Sequence, residues 1–199
     1  MFVGSANAGL IIGADNASTD MGTYASSYST VNVINQSGLS SAYVSGVTDF
    51  DAYMSSSPTA NGGFWFSSSG ISSGNFDLNL GGNFSIESMA FWNDGQGVGQ
   101  GVNTFNLFAD TSSDFSSAIL LGTFSATDSG NLGQVFEFAS TEASFVRLEI
   151  LSNHGSNCCT GIKEIFFEEG AASVPEPASI AMLGLGLAGI GFSRRKKSA

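Results

Sequence analysis

Residues 145–151 alternate cleanly: Val146, Leu148 and Ile150 point one way, Arg147 and Glu149 the other. A period of two marks a strand with one buried face. Residues 104–110 repeat the pattern, with Phe105, Leu107 and Ala109 on one face and Asn106 and Phe108 on the other. Shorter apolar or aromatic runs lie at 31–34, 42–47, 64–66, 76–80, 84–92, 119–124, 135–138 and 162–168. Stretches rich in Gly, Ser and Asn at 67–75, 81–83, 93–103 and 127–133 separate them and supply turns. The pattern predicts an all-β chain, an antiparallel jelly-roll sandwich of about eight to ten strands. An immunoglobulin-like sandwich is the alternative arrangement. No βαβ alternation, heptad or solenoid-length repeat is present. One segment breaks the pattern: residues 178–192 are apolar throughout and predict a short helix after the sandwich.

Charge divides the chain in the same way. The 199 residues carry 17 acids and 6 bases, a net charge of -11. Sixteen acids but only two bases, Arg147 and Lys163, fall in residues 1–174, leaving that part at -14. Such a body repels phosphate backbones, so nucleic acid is not an expected partner. Charged residues make up 12% of the chain, about half the ~25% of ordinary globular proteins. That disfavours surface helices, which draw on Lys, Glu and Arg. The 42% hydrophobic content argues against wholesale disorder.

The remaining bases are Arg194, Arg195, Lys196 and Lys197, directly after the apolar run and Ser193. Before the run stand Val174, Pro175, Glu176 and Pro177, where the prolines hold the chain extended. A helix over 178–192 would span roughly 22 Å, short of a ~30 Å hydrocarbon core. The basic cluster would stay on the cytoplasmic side with the acidic body outside. This order of Pro-Glu-Pro element, short apolar helix and basic end resembles the PEP-CTERM protein-sorting signal of Gram-negative bacteria. The resemblance implies an exosortase as partner, an inner-membrane-anchored precursor, and release to the cell surface or an exopolysaccharide-rich matrix. At the other end, Ala6, Asn7 and Ala8 form a small-x-small cleavage site with no basic or apolar segment before it. Residues 1–8 read as the remnant of a signal peptide cut after Ala8. The expected division is therefore 1–8 signal remnant, 9–173 sandwich and 174–199 sorting tail.

The order of strands in the body carries a second resemblance. Residues 76–81 (Phe76, Asp77, Leu78, Asn79, Leu80, Gly81) resemble the Asp-Leu-Gly strand of discoidin-type, galactose-binding-like domains. Residues 105–110 and 144–148 resemble two later strands, and 161–165 (Gly161, Ile162, Lys163, Glu164, Ile165) the closing one. The similarity covers 49–168. It implies an eight-stranded jelly roll whose end loops bind sugars, lipids or proteins. It also implies a structural calcium ion held by a first-loop carboxylate and a late-strand Glu, here Asp49, Asp51 and Glu164. Calcium takes about six to eight oxygen ligands, and gathered carboxylates suit it. The alternative is that these three acids simply face solvent.

Other residues narrow the chemistry. Cys158 and Cys159 are adjacent. Their Cα atoms would be ~3.8 Å apart, under the ~4.4 Å of ordinary disulfides. A local disulfide that distorts the loop, two free thiols, and a metal site with His154 are the options, in that order, with intermolecular pairing a further one. His154 is the one histidine and no G-x-S-x-G elbow occurs, so a hydrolytic triad is unsupported. The glycine-alternating stretch 94–101 lacks dinucleotide-binding spacing and reads as a rim loop. Trp65 and Trp92 are candidates for a sugar platform but lie in strand-like runs, which favours burial. Tyr24, Tyr28, Tyr43 and Tyr53 sit in Ser-rich segments nearer the rim. The expected function is a non-catalytic binding module for exopolysaccharide. A structural matrix protein and a hydrolase using paired carboxylates are the alternatives.

Overall fold

Two strands of 20 residues each, β4 (Gly74–Asn93) and β7 (Gln134–Asn153), organise the sandwich. They pair antiparallel from Gly74 opposite Ile150 to Phe91 opposite Gln134, with register breaks after Asn79 and Ile86. The computed structural model describes residues 9–94, 99–128 and 130–170. The remaining strands are β1 (Ile11–Ile12), β2 (Asn16–Thr19), β3 (Trp65–Phe66), β5 (Val102–Asp110), β6 (Ile119–Ser125) and β8 (Gly161–Glu169). Among the described residues one short α-helix, α1 (Phe50–Ser55), lies between β2 and β3.

The first half of β4 pairs with β2, and the second half with β8. The late half of β7 pairs with β5, which pairs with β6. One layer therefore runs β2-β4-β7-β5-β6, and the other sets β1 and β3 against β8, then β4 and β7. Between Asn79 and Phe84 the strand bends from one layer to the other. Gly81 permits this: its φ is +75°, and a Cβ there would strike the Asp15 carboxylate.

Alternation decides which side chains enter the core. Phe76, Leu78, Phe105, Leu107, Val146 and Leu148 of one layer are buried against Phe91, Ile165 and Phe167 of the other. Phe91 stacks on Phe105 at 5.9 Å, and Phe136 meets Phe105 edge-on at 5.3 Å. A second cluster lies outside the back layer, where Phe50 and Tyr53 of α1 pack with Tyr43 around Phe166.

Several expected boundaries change. Segments 76–80 and 84–92 belong to one strand, because the Gly-Gly bend redirects the chain without reversing it. Segments 135–138 and 145–151 merge into β7, because Thr141, Glu142 and Ala143 between them stay paired with Ile86, Ser85 and Phe84 of β4. Residues 31–34 are not a strand, since Thr30–Val33 form a 3-10 turn. Residues 42–47 are a loop, closed where the Val44 carbonyl accepts from the Val47 and Thr48 amides.

β8 is buried along nearly its whole length, so its polar residues are enclosed. Lys163 donates to the Gly130 carbonyl at 2.9 Å and to Asn131 Oδ1 at 2.8 Å. Burial pushes its ammonium down, while Asp94 and Asp128 oppose this. Glu164 is 1% exposed; its Oε2 accepts from the Gln36 amide at 3.0 Å and its Oε1 has no hydrogen-bond partner. Burial pushes its carboxyl up to about 9, against a smaller lowering by the Gln36 amide. Burial, then Glu164, also raises the Tyr43 and Tyr53 phenols.

Two outcomes follow for stability. Glu164 favours the folded state fully below its ordinary value of 4.5, and that contribution is lost as pH rises through about 9. Urea unfolding between pH 5 and 9 should therefore show stability falling with pH, by at most ~1.4 kcal/mol per unit from this group. Glu164→Gln should flatten that slope and exceed the wild type in stability at pH 8. Trp92 is fully buried, and its indole donates to the Pro58 carbonyl at 3.0 Å. Trp92→Ala should cost about 3–5 kcal/mol in the same assay.

Candidate functional site

The run 64–66 splits across the sheet by simple alternation. Trp65 points inward, fully buried, and its indole donates to the Gly22 carbonyl at 3.1 Å. Phe64 and Phe66 therefore point outward, with rings stacked at 5.7 Å and 18°. Tyr28 meets Phe66 edge-on at 5.0 Å, and Tyr24 meets Tyr28 at 6.1 Å. The Tyr24 amide donates to the Phe66 carbonyl, which holds this segment against β3.

These four rings line one side of a cleft of about 330 Å³, and Gln100, Cys158 and Cys159 line the other. Cys158 and Cys159 are joined as a disulfide between neighbours, with Cα atoms 3.8 Å apart. Gln100 Nε2 donates to Cys159 Sγ at 3.1 Å. Asn153 Nδ2 donates to the Ser156 and Cys159 carbonyls, and the Gly70 amide donates to the Cys158 carbonyl. The cysteine wall is thus fixed at its backbone. Among the described lining residues none is a carboxylate, lysine, arginine or histidine, and Lys163 Nζ lies 5.5 Å from the Phe64 ring centroid. It can stack on an apolar ring face and hydrogen-bond hydroxyls, but it holds no acid-base pair.

The other expected site residues lie elsewhere. Tyr24 is 53% exposed at the rim, but Tyr43 and Tyr53 are buried around Phe166, so their expected rim position is corrected. Both tryptophans are core residues. Asp49 caps α1, its Oδ1 accepting from the Ala52 amide at 2.7 Å, and exposed Asp51 follows in the first turn. Among the described residues no three His, Cys, Asp or Glu side chains are grouped to hold a metal. The structure does not assemble the expected trio: Asp49 serves the helix, while Glu164 is enclosed beneath Tyr43 and Tyr53. His154 Nε2 lies 3.0 Å from the Ala126 carbonyl, at the loop's base rather than on the disulfide. Residues 95–98 of the glycine-alternating loop, signal-site Ala8, the 174–177 motif, the expected helix at 178–192 and the basic 194–197 cluster lie outside the described residues.

A second polar site went unnoticed in the sequence. Asp51, Glu87, Ser88, Glu137, Phe138 and Glu168 line a cavity of about 310 Å³ near the end of β8. Burial raises the Glu168 carboxyl; Ser88 opposes this, and Asp51, Glu87 and Glu137 add to it. Phe64 and Phe66 were also missed as outward-facing rings that line the cleft. The signal was present: in an aromatic triplet, the outer two must face opposite to the buried one.

Comparison with known proteins adds two sequence matches. The PEP-CTERM protein-sorting motif matches residues 173–196, and the Sad1 / UNC-like C-terminal family matches residues 86–166. No curated protein matches the chain. Among solved structures, the CBM32-1 and CBM32-2 domains of Clostridium perfringens ZmpB, in complex with GalNAc, superpose with a TM-score of 0.58 at 9% identity. That match covers 79% of this chain and 33% of the other, so the chain spans about a third of the ZmpB structure. The family 32 CBM of C. perfringens NanJ, in complex with galactose, gives 0.55 at 13% identity over 80% of this chain and 98% of the module. A chitosan-binding module from a Paenibacillus chitosanase/glucanase gives 0.53 at 11% identity over 80% and 98%. Among the described residues no helix is long and apolar enough to cross a membrane. The sorting motif implies export through a membrane-anchored precursor. The chain joins a body of the discoidin-type, galactose-binding-like fold to a PEP-CTERM protein-sorting motif.

Proposed function

We propose that this chain is an exported, exosortase-processed carbohydrate-binding module without catalytic activity, and that the aromatic cleft is its sugar site. The observation that carries the reading is the cleft's lining among the described residues: four aromatic rings, one amide and the cysteine pair, with no carboxylate or histidine. Aromatic faces stack on the apolar faces of pyranoses, and Gln100 offers both a donor and an acceptor to hydroxyls. The likeness to galactose- and GalNAc-bound modules supports the same ligand class. The natural partner is a neutral exopolysaccharide, because a body at -14 disfavours anionic polymers.

The cleft lies at the start of β8, and the sorting motif follows the end of β8 in sequence. β8 begins at Gly161, beside Cys159 and the cleft, and ends at Glu169, shortly before the motif at 173–196. The nine residues of β8 span roughly 30 Å.

Glycan-array binding and calorimetry of the full chain, with galactose- and GalNAc-containing oligosaccharides and purified exopolysaccharide, test the reading. Phe66→Ala and Tyr28→Ala should each weaken binding about tenfold or more, as anchor aromatics do. Unchanged affinity in both variants, or no binding by the wild type, refutes the cleft assignment. Intact mass of exported protein should show loss of the tail near Pro175–Pro177 only where the exosortase is active.

A further inference from the structure

The outward face of the β2-β4-β7-β5-β6 layer is built differently from an ordinary solvated sheet. Its polar side chains stand in register. Ser18, Asp77, Arg147 and Phe108 form one row across four strands. Asn75, Glu149, Asn106 and Thr123 form the next. Within these rows the groups are already oriented. Arg147 grips Asp77 through Nε at 2.6 Å and a second guanidinium nitrogen at 2.7 Å. Asn106 Nδ2 donates to Glu149 Oε2 at 2.7 Å, and Thr123 Oγ1 donates to Asn106 Oδ1 at 2.6 Å.

The β5-β6 connection, residues 111–118, folds back over this face. Asp110 anchors it by accepting from the Ser112 amide at 3.0 Å and the Ser117 amide at 2.9 Å. At its tip Phe115 has φ +52°, a left-handed conformation that a bulky residue adopts at a cost. The strain places its ring 4.1 Å from the Arg147 guanidinium carbon. Phe115 then divides two open cavities. One, of about 150 Å³, is lined by Asn16, Ser18, Asp77, Asn79 and Phe145. The other, of about 260 Å³, is lined by Asn75, Phe108, Ala118, Arg147 and Glu149. Each is below the ~300–1,000 Å³ of drug-sized pockets, which suits one ring-sized group apiece. Each pairs a phenylalanine of its own with at least one side-chain amide.

We propose that this sheet face is a second glycan site, which takes a neutral polysaccharide strand lying across Phe115. Amides, a carboxylate and hydroxyls fixed in rows match a polyhydroxylated ligand, and the phenylalanines supply contact for its apolar faces. Charge selects against acidic glycans: Arg147, the one cation among the described residues lining these cavities, is matched by Asp77, while Asp20 and Glu149 add negative charge beside it. The site shares no lining residue with the cleft at Phe66, so the two assignments stand or fall separately.

The test is an NMR titration of the full chain in detergent with cellohexaose, laminarihexaose, xylohexaose and a β-linked galactohexaose, with oligogalacturonate as the anionic control. At least one neutral hexasaccharide should shift amides of residues 113–118 and 145–149, in the wild type and in Phe66→Ala alike. Oligogalacturonate should not. Phe115→Gly keeps the left-handed backbone and removes only the ring, so it should fold normally yet bind about tenfold more weakly at this face. Phe115→Tyr should restore binding. The proposal is overturned if no neutral hexasaccharide shifts these amides, if oligogalacturonate shifts them equally, or if Phe115→Gly binds like the wild type.

Discussion

The long antiparallel pairing of β4 with β7 holds both layers of the sandwich at once. Each strand contributes to the front layer along one half and to the back layer along the other. The bend at Gly81 therefore determines how the two inner faces meet, and with them the contact of Phe91 with Phe105. Because the two layers share strands, neither can shift without moving the other. The short strands and loops, including those that form the cleft, are added to this frame.

The back layer shows how the fold tolerates so acidic a chain. β8 runs beneath loops and α1, so Lys163 and Glu164 cannot reach water freely. The lysine is satisfied by a backbone carbonyl and an amide oxygen, and the glutamate is held as the neutral acid at ordinary pH. A buried anion left without a partner would be far more costly than a bound proton. Most other acids stay at the surface, where solvent screens them.

Aromatic residues divide into three roles by position on the pleat. Those on inner faces fill the core, as Phe76, Phe91 and Phe105 do. Those around α1, such as Tyr43 and Tyr53, seal the outside of the back layer. Tyr28, Phe64, Phe66 and Phe115 remain accessible in clefts, where rings are available for ligands. Composition alone does not separate these groups, because phenylalanine occurs in all three.

The strict alternation at 104–110 and 145–151 determined the buried faces of β5 and β7 directly, since period two leaves no choice of side. The tail was equally legible, because its prolines, apolar run and basic cluster act through local properties that need no partner strand. Tertiary structure decided what depended on distant pairing. Whether the glycines at 81–82 reverse the chain or bend it rests on β7, which continues opposite β4 across that point. Asp49, Asp51 and Glu164 looked alike as acids in sequence, yet one caps a helix, one faces solvent and one is enclosed. Ala42, Tyr43 and Val44 resemble a strand, but their backbone finds no partner ladder there. Local sequence encodes which face a residue takes, and only the folded chain decides what that face meets.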